Sequence, residues 1–287
     1  MSMAIGTPRE VPMASDMHVT AKKKIGRHRW HLVRRLRQGA EVISGFVVLL
    51  VLWQVIISVF HPAAYLLPAP LSVWRDMWSP EYNWLPNIGI TTEEIIGGFL
   101  ASAIAGIALA ILIAWTPLLE RTVLPMLVVF NTLPKIAIAP LFIIYLGYGV
   151  LPNAVIAAAV AFFPVVITTA TGLEQIDPDL VDLARSLGAS KRKVFAKIRL
   201  PNALPYIFSG LKVSSTLAVV GAIIGEFVAS QSGLGYIEIA TETTLNTALA
   251  FASLVWMSAI GLALYGLIEA LARAVAPWSH VSTETSI

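Results

Sequence analysis

The apolar residues of this chain arrive in blocks long enough to cross a bilayer, which leaves it few other ways to fold. A helix that spans the hydrocarbon needs roughly 20 predominantly apolar residues. Blocks of that kind run from about Glu41 to Phe60, Ile95 to Trp115, Val123 to Leu146, Leu151 to Thr171, Leu204 to Phe227 and Ala248 to Ala272. Composition agrees with this reading. Of 287 residues, 57% are hydrophobic and 13% are charged, and the mean hydropathy is +0.76. A soluble domain carries about 25% charged residues. Blocks of membrane length, rather than short strands, predict an all-α membrane protein of about six transmembrane helices.

Charge sets the orientation. Lys22, Lys23, Lys24, Arg27, Arg29, Arg34, Arg35 and Arg37 directly precede the first block. Juxtamembrane runs of this kind stay cytosolic, so their charge is accounted for without nucleic acid. The first forty residues are polar and lack the short apolar core of a secretory signal. With that end inside, the cytosolic segments collect Arg121, Arg185, Lys191, Arg192, Lys193, Lys197, Arg199 and Arg273, whereas the external ones hold only Arg75. The external stretch between the last two blocks carries Glu226, Glu238 and Glu242 without Lys or Arg. This asymmetry predicts an even number of crossings with both termini cytosolic. The organisation read from it is a basic cytosolic tail over 1–38, a transmembrane domain over 39–276 with a polar loop at 174–203, and a second cytosolic tail over 277–287.

Several chemistries are excluded at this stage. The chain has no Cys, and its five histidines, His18, His28, His31, His61 and His280, all lie outside the apolar blocks. Thiol chemistry, a buried metal centre and a histidine proton relay are therefore not expected, and no metal is assigned. No HExxH, paired-aspartate cluster or Ser/His arrangement falls within the blocks, so an embedded enzyme is not supported.

Gly98, Ser102, Gly106, Ala110 and Ala114 recur every fourth residue in the second block. Small residues on one helical face let backbones approach closely in lipid. The fifth block repeats the device with Ser214, Ala218 and Ala222 beside Gly221 and Gly225. Pro134 and Pro140 predict a bend in the third block, with freed carbonyls satisfied by neighbours. The loop from His61 to Asn87 holds five prolines together with Trp74, Trp78 and Trp84. Those aromatics suit the headgroup region, and Leu71 to Trp78 reads as a short interfacial helix. Ser232 to Gly235 marks a tight turn after the fifth block.

Asp177 to Pro201 reads as a polar helix-turn-helix between two apolar blocks. Asp177 is a helix cap and Pro178 suits the first helical position. Leu180, Leu183, Ala184 and Leu187 form one apolar stripe. Gly188 stops the helix in a left-handed conformation. Ser190 caps a second helix that contains Val194, Phe195 and Ile198 and is expected to end at Pro201. Lys191, Arg192 and Lys193 sit at the wrong end of that helix for cations, so an external partner, either anionic lipid or an acidic protein, is expected to compensate. Tethered to membrane segments at both ends, the hairpin has no room for the rest of a DNA-binding domain.

The spacing within this hairpin is specific. Asp182-Leu183-Ala184, then Gly188 after three residues, then Ile198-Arg-Leu-Pro201 after nine more, resembles the "EAA" loop of ATP-binding-cassette importer permeases. Asp182 and Leu183 depart from that pattern's Glu and Ala. Leu133-Pro-Lys-Ile-Ala-Ile-Ala-Pro-Leu141, Leu146-Gly-Tyr-Gly149, Phe162-Phe-Pro164, Gly210-Leu-Lys212, Gly225-Glu226 and Gly233-Leu-Gly235 resemble permeases of the nitrate/sulfonate/taurine type. The resemblance covers roughly Ile95 to Trp278. It implies two permease chains forming one pathway, two cytosolic ATPases and an extracytoplasmic solute-binding protein. It also implies that Leu180, Asp182, Leu183, Ala184, Arg185, Leu187, Gly188, Ile198 and Pro201 couple the chain to the ATPase. The chain has no GxxxxGK[ST] loop, so ATP binding is expected on a partner and no cofactor on this chain.

Ionisable residues within apolar blocks are functional candidates. Lys135, between two prolines, is a pathway candidate, with a structural bond to unwound carbonyls beside Pro134 or Pro140, or an ion pair with another span, as the alternatives. Glu226 is a candidate for the outer mouth, where it would gate or meet the binding protein, or for a structural helix-end role. Lys212 and Glu269 are expected to snorkel toward the interface. Glu93 and Glu94 are expected to mark the outer start of the second span. An ion-coupled secondary transporter is the rival class, but it would need mid-membrane ion sites and would leave the hairpin without a purpose.

Overall fold

The computed structural model describes residues 40–41 and 43–278, so the basic run at 22–37 and most of the second tail lie outside the described residues. The described residues fall into two units that divide between Pro62 and Ala63. The described part of the first is a single apolar helix, α1 (Ile43–Phe60), of spanning length.

The second unit contains α2 (Pro70–Met77), α3 (Trp84–Trp115), α4 (Pro117–Asn131), α5 (Lys135–Leu146) and α6 (Val150–Glu174). It continues with α7 (Pro178–Ser186), α8 (Lys191–Val194), α9 (Leu200–Ala229), α10 (Leu234–Thr244) and α11 (Thr247–Val275). No strand occurs among the described residues. With α1, the helices α3, α6, α9 and α11 are each long and apolar enough to span, and α4–α5 brings the number to six if that bent pair is one span.

The centre of this unit is a layer of α3, α6 and α9 whose spacing is set by small residues. A Cβ on Gly106 would stand 2.9 Å from the Val165 side chain, and Gly98 lies directly against Ala157 and the Ala154 carbonyl. Numbering rises together on the two helices, so α3 and α6 run parallel. On α9 the order reverses. Gly210 abuts Thr168, a Cβ on Gly221 would stand 2.6 Å from the Ala157 Cα, and one on Gly225 would stand 2.6 Å from the Asn153 side chain. The predicted stripes at Gly98, Ser102, Gly106 and Ala110, and at Ser214, Ala218 and Ala222, are buried here. Ser102 and Ser214 add a buried hydroxyl pair at 3.1 Å.

Parallel packing of α3 and α6 has a topological consequence. The chain leaves α3 at one end of the layer and must begin α6 at the other. α4 and α5 therefore carry it across, and the pair is a broken span rather than a loop that returns to its own side. The expected bend is real but larger than a proline kink, because the two helices meet at 95°. The break falls where Pro134 cannot continue a helical ladder.

Four other expectations are corrected. The second span begins at Trp84, not near Ile95, so Glu94 is inside the helix and buried instead of marking its outer start. Trp84 is buried as well and donates its indole N–H to the Asp76 carbonyl at 2.8 Å, which makes it a packing anchor. The second hairpin helix does not end at Pro201. Helical structure continues from Lys191 to Val228 through a wide turn at Phe195–Arg199, where the Leu200 N–H bonds the Phe195 carbonyl. A π-type turn changes the ladder one turn before the proline, which lets Pro201 sit inside a continuous helix. Finally, Lys212 and Glu269 form an ion pair between α9 and α11 instead of reaching separately for the interface.

The close approach of α9 to α6 yields a test. Gly221→Val places a side chain against backbone that cannot yield and is expected to cost about 1–3 kcal/mol or more through overpacking. Gly266 meets nothing within 4 Å, so Gly266→Ala in α11 is expected to stabilise by about 0.4–1 kcal/mol. Thermal unfolding of the two purified variants in detergent checks both signs.

Candidate functional site

Sequence-predicted residues collect at three places. The first is the hairpin, at the end of the layer where α3 and α6 finish. The Asp177 carboxylate accepts from the Asp179 N–H at 2.9 Å, and Ser190 accepts from the Lys193 N–H at 3.4 Å. Gly188 has φ +79°. Its N–H bonds the Arg185 carbonyl at 2.9 Å, while the Ala189 N–H bonds the Ala184 carbonyl at 3.0 Å. That pair of bonds is the Schellman termination a left-handed glycine permits. α7 is therefore a stiff short helix with defined ends.

The hairpin is also rooted in the bundle. Val181 and Val194 are buried, and Trp115 packs on Phe195 with ring centroids 5.2 Å apart. Asn202 donates to the Gln175 carbonyl at 2.7 Å, and the Tyr206 hydroxyl donates to the Gln175 side chain at 2.5 Å. On the opposite face the apolar stripe stands in the open. Leu183 is 58% exposed and Leu187 80%, with Leu180 beside them. Asp182 and Arg185 are exposed partners 3.7 Å apart, a contact worth little by itself. Ile198 and Pro201 do not join that face. They are half-buried and line a cleft of about 400 Å³ beneath Leu180, together with Asp177 and Asn202. The nine predicted coupling residues thus divide into an exposed face, a half-buried Ala184, a left-handed hinge at Gly188 and a root. Arg185, Lys191 and Arg199 line a second cleft of about 230 Å³ against Trp115 and Phe195.

The second place is the break between α4 and α5. The Lys135 ammonium donates to the carbonyl of Asn131, the last residue of α4, and to its side-chain oxygen, both at 2.9 Å. It also lies 5.2 Å from the centre of the Phe163 ring. Here Lys135 ties down backbone freed at the break. A cavity of about 170 Å³ opens beside it, lined mainly by Phe130, Leu133, Phe142 and Phe163.

The third place lies at the opposite end of the layer. Glu226 is 1% exposed. One of its oxygens accepts from the Thr91 hydroxyl at 2.5 Å and the other from the Gly235 N–H at 2.5 Å. Thr91 in turn accepts from the Leu234 N–H at 2.8 Å, and Asn87 accepts from the Gly233 N–H at 2.8 Å. Asn153 donates to Glu94 at 2.8 Å and to the Ser230 hydroxyl at 2.7 Å. The turn between α9 and α10 is thus gripped from α3, α6 and α9 at once. Gly233 and Gly235 are required there, because a Cβ at either would run into the Glu226 carboxylate. In this conformation Glu226 is too deep to touch an external protein directly.

Asn153, Thr91 and Asn87 are not singled out by the sequence, and Glu94 is named there only as a marker of the outer start of the second span. Asn153 carried a usable signal, since it is a lone amide in the apolar run that opens α6. Glu94 carried none that distinguishes it from its exposed neighbour Glu93.

Comparison with known proteins agrees with this geometry. Residues 102–278 match the model of the "Binding-protein-dependent transport system inner membrane component" family. The formylaminopyrimidine transport permease protein ThiX of Halalkalibacterium halodurans is 31% identical over 86% of this chain and 98% of its own. The putative aliphatic sulfonates transport permease protein SsuC of Bacillus subtilis is 29% identical over 90% of this chain and 92% of its own. A chain from an inward-facing structure of the MetNI methionine ABC transporter superposes with a TM-score of 0.60 at 20% identity, covering 69% of this chain and 99% of that one. At that identity the likeness establishes the fold. The chain belongs to the binding-protein-dependent transport system inner membrane component family, as a multi-pass permease subunit of an ATP-binding-cassette importer.

Proposed function

We propose that this permease, paired with a second copy of itself, forms the pathway for a small anionic or heteroaromatic solute across a prokaryotic plasma membrane. Two cytosolic ATPase subunits bind ATP and drive it, an extracytoplasmic binding protein delivers the solute, and the chain itself needs no cofactor. The observation that carries the coupling part is the exposed face of Leu180, Leu183 and Leu187 on a capped helix fastened to the bundle. An amphipathic helix presenting anchors at this spacing suits a groove on a partner protein. The basic residues gather on the hairpin side, so that side is assigned to the cytosol, with both termini.

The solute class is carried by two lines of support. ThiX and SsuC are named for a pyrimidine and for sulfonates. Within this chain, the cavity beside Lys135 combines aromatic walls with one cation. A planar or anionic solute could use the ring faces and the ammonium in passing, provided the ammonium releases Asn131. The break in α4–α5 supplies the irregular backbone that membrane pathways use where a cavity is lined.

Four outcomes are expected. Leu183→Asp leaves insertion intact but abolishes both uptake and co-purification of the ATPase subunit; an ATPase that still co-purifies would remove the hairpin from its docking role. Gly188→Val forces a β-branched residue into the left-handed region at about 1–2 kcal/mol and is expected to lower uptake while the bundle unfolds at its usual temperature. Because the chain contains no Cys, Leu187→Cys gives one label site. A membrane-impermeant maleimide should reach it in inverted vesicles and not in right-side-out ones. For the pathway, Lys135→Met is expected to raise the KM for uptake of an anionic solute more than it lowers the maximal rate.

A further inference from the structure

The clasp at the end opposite the hairpin contains a requirement that hydrogen bonding alone imposes. Glu94 on α3 and Glu226 on α9 are each 1% exposed and share one pocket: Thr91, one turn before Glu94, bonds Glu226, and Asn153, which bonds Glu94, packs against Gly225 beside Glu226. Ionised carboxylates are acceptors only, so a bond between the two needs a proton. The available donors decide where it sits. Both oxygens of Glu226 already accept, one from Thr91 and one from Gly235. On Glu94, Oε1 accepts from Asn153, whereas Oε2 is buried and has no donor. Oε2 is the one position on the pair where a proton completes the network instead of disrupting it.

No cation among the described residues replaces that proton. Glu94 faces Glu226, Asn153 and, on its own helix, Glu93. Glu226 faces Thr91, the Gly235 N–H and Glu94. The contribution of α6 is Asn153, an uncharged amide. On α10, Glu238 has Glu242 as its charged neighbour. Lys212 of α9 is paired with Glu269 of α11, and it lies about 21 Å along the helix from Glu226 at 1.5 Å per residue.

We infer that the clasp is a one-proton site in which Glu94 is the neutral acid, its Oε2–H donating to the Glu226 carboxylate. Glu226 then keeps the single negative charge that draws in the Thr91 hydroxyl and the Gly235 N–H. Glu94 is a positioning residue: it acts on the turn through Glu226 and touches no part of it itself. An acid–carboxylate bond is of the charge-assisted kind, stronger than a neutral one, and in this case it joins α3 to α9 beside the turn that leads into α10. Its role at an external mouth rests on the orientation proposed above, but the proton itself does not.

Infrared difference spectra and thermal unfolding of the full purified chain test this together. Comparing wild type with Glu94→Gln near neutral pH should show loss of one carboxylic-acid carbonyl band, with the carboxylate bands unchanged. Glu94→Gln should keep the wild-type unfolding midpoint, since an amide N–H can donate where the acid did and the amide oxygen still accepts from Asn153. Glu94→Ala and Glu226→Gln should both lower it, the first by leaving Glu226 short of a donor, the second by placing an amide N–H against donors. A purely structural role for Glu94 would not predict the acid band. Loss of a carboxylate band in Glu94→Gln would overturn the inference. So would a wild-type midpoint that rises with added sodium or calcium while that of Glu94→Gln does not, because a bound cation would then occupy the proton's place.

Discussion

The contact on which the rest of the structure depends is the approach of α9 to α6 across Gly210, Gly221 and Gly225, with α3 closing on the other side through Gly98 and Gly106. In lipid there is no gain from burying one apolar helix against another, because the tails are as apolar as leucine. Dispersion at short range and a few internal hydrogen bonds have to suffice. Removing side chains at these positions brings backbones together, and direction follows from which glycine meets which partner. Once α3 and α6 are parallel, a crossing between them is obligatory, and α4–α5 is the segment left to supply it. Its irregular middle is then a consequence of the layer as much as of Pro134.

That layer also separates the two polar features of the chain. At one end α9 continues without interruption into the hairpin; at the other its final turn carries Glu226. The 38 residues from Lys191 to Val228 form one helical rod of about 57 Å at 1.5 Å per residue. The wide turn at Phe195–Arg199 is the one irregularity at its base. On the coupling role proposed above, this rod connects the docked hairpin to the turn gripped by Glu226, Thr91 and Asn87.

Legibility in the sequence tracked the range of the interactions. The hairpin was readable almost atom by atom, because caps, a Schellman glycine and an apolar stripe are decided within a few residues of one another. The apolar blocks were readable for the same reason, as was the small-residue face of α3. The end of the hairpin was misjudged because Pro201 by itself stops a helix. What lets the helix pass is a change of hydrogen-bond register one turn earlier, and no single residue announces that. Lys212 and Glu269 looked like two separate interfacial charges, since nothing in either segment reveals that α9 and α11 lie side by side. Glu94 was the least legible. Its neighbour Glu93 is chemically identical and exposed, and only the rotation of α3 against α9 decides which of the two is buried.

The way buried charge is handled differs between the two ends of the spanning layer, and the difference follows from what each must do. Lys212 and Glu269 are each about a fifth to a quarter exposed, so solvent shares in stabilising them, and Arg273 donates to the other oxygen of Glu269 at 2.9 Å. Lys135 sits at a break, where loose carbonyls can satisfy an ammonium. Glu94 and Glu226 are closed off from solvent and have no cation among the described residues, and an isolated buried carboxylate is too costly to keep without donors. Three donors converge on that pair from protein: Thr91, Asn153 and the Gly235 N–H. Two of the three belong to helices of the layer and the third to the first turn of α10. The charge is therefore affordable only while the turn stays docked, which makes the docked turn and the ionised Glu226 conditions of each other.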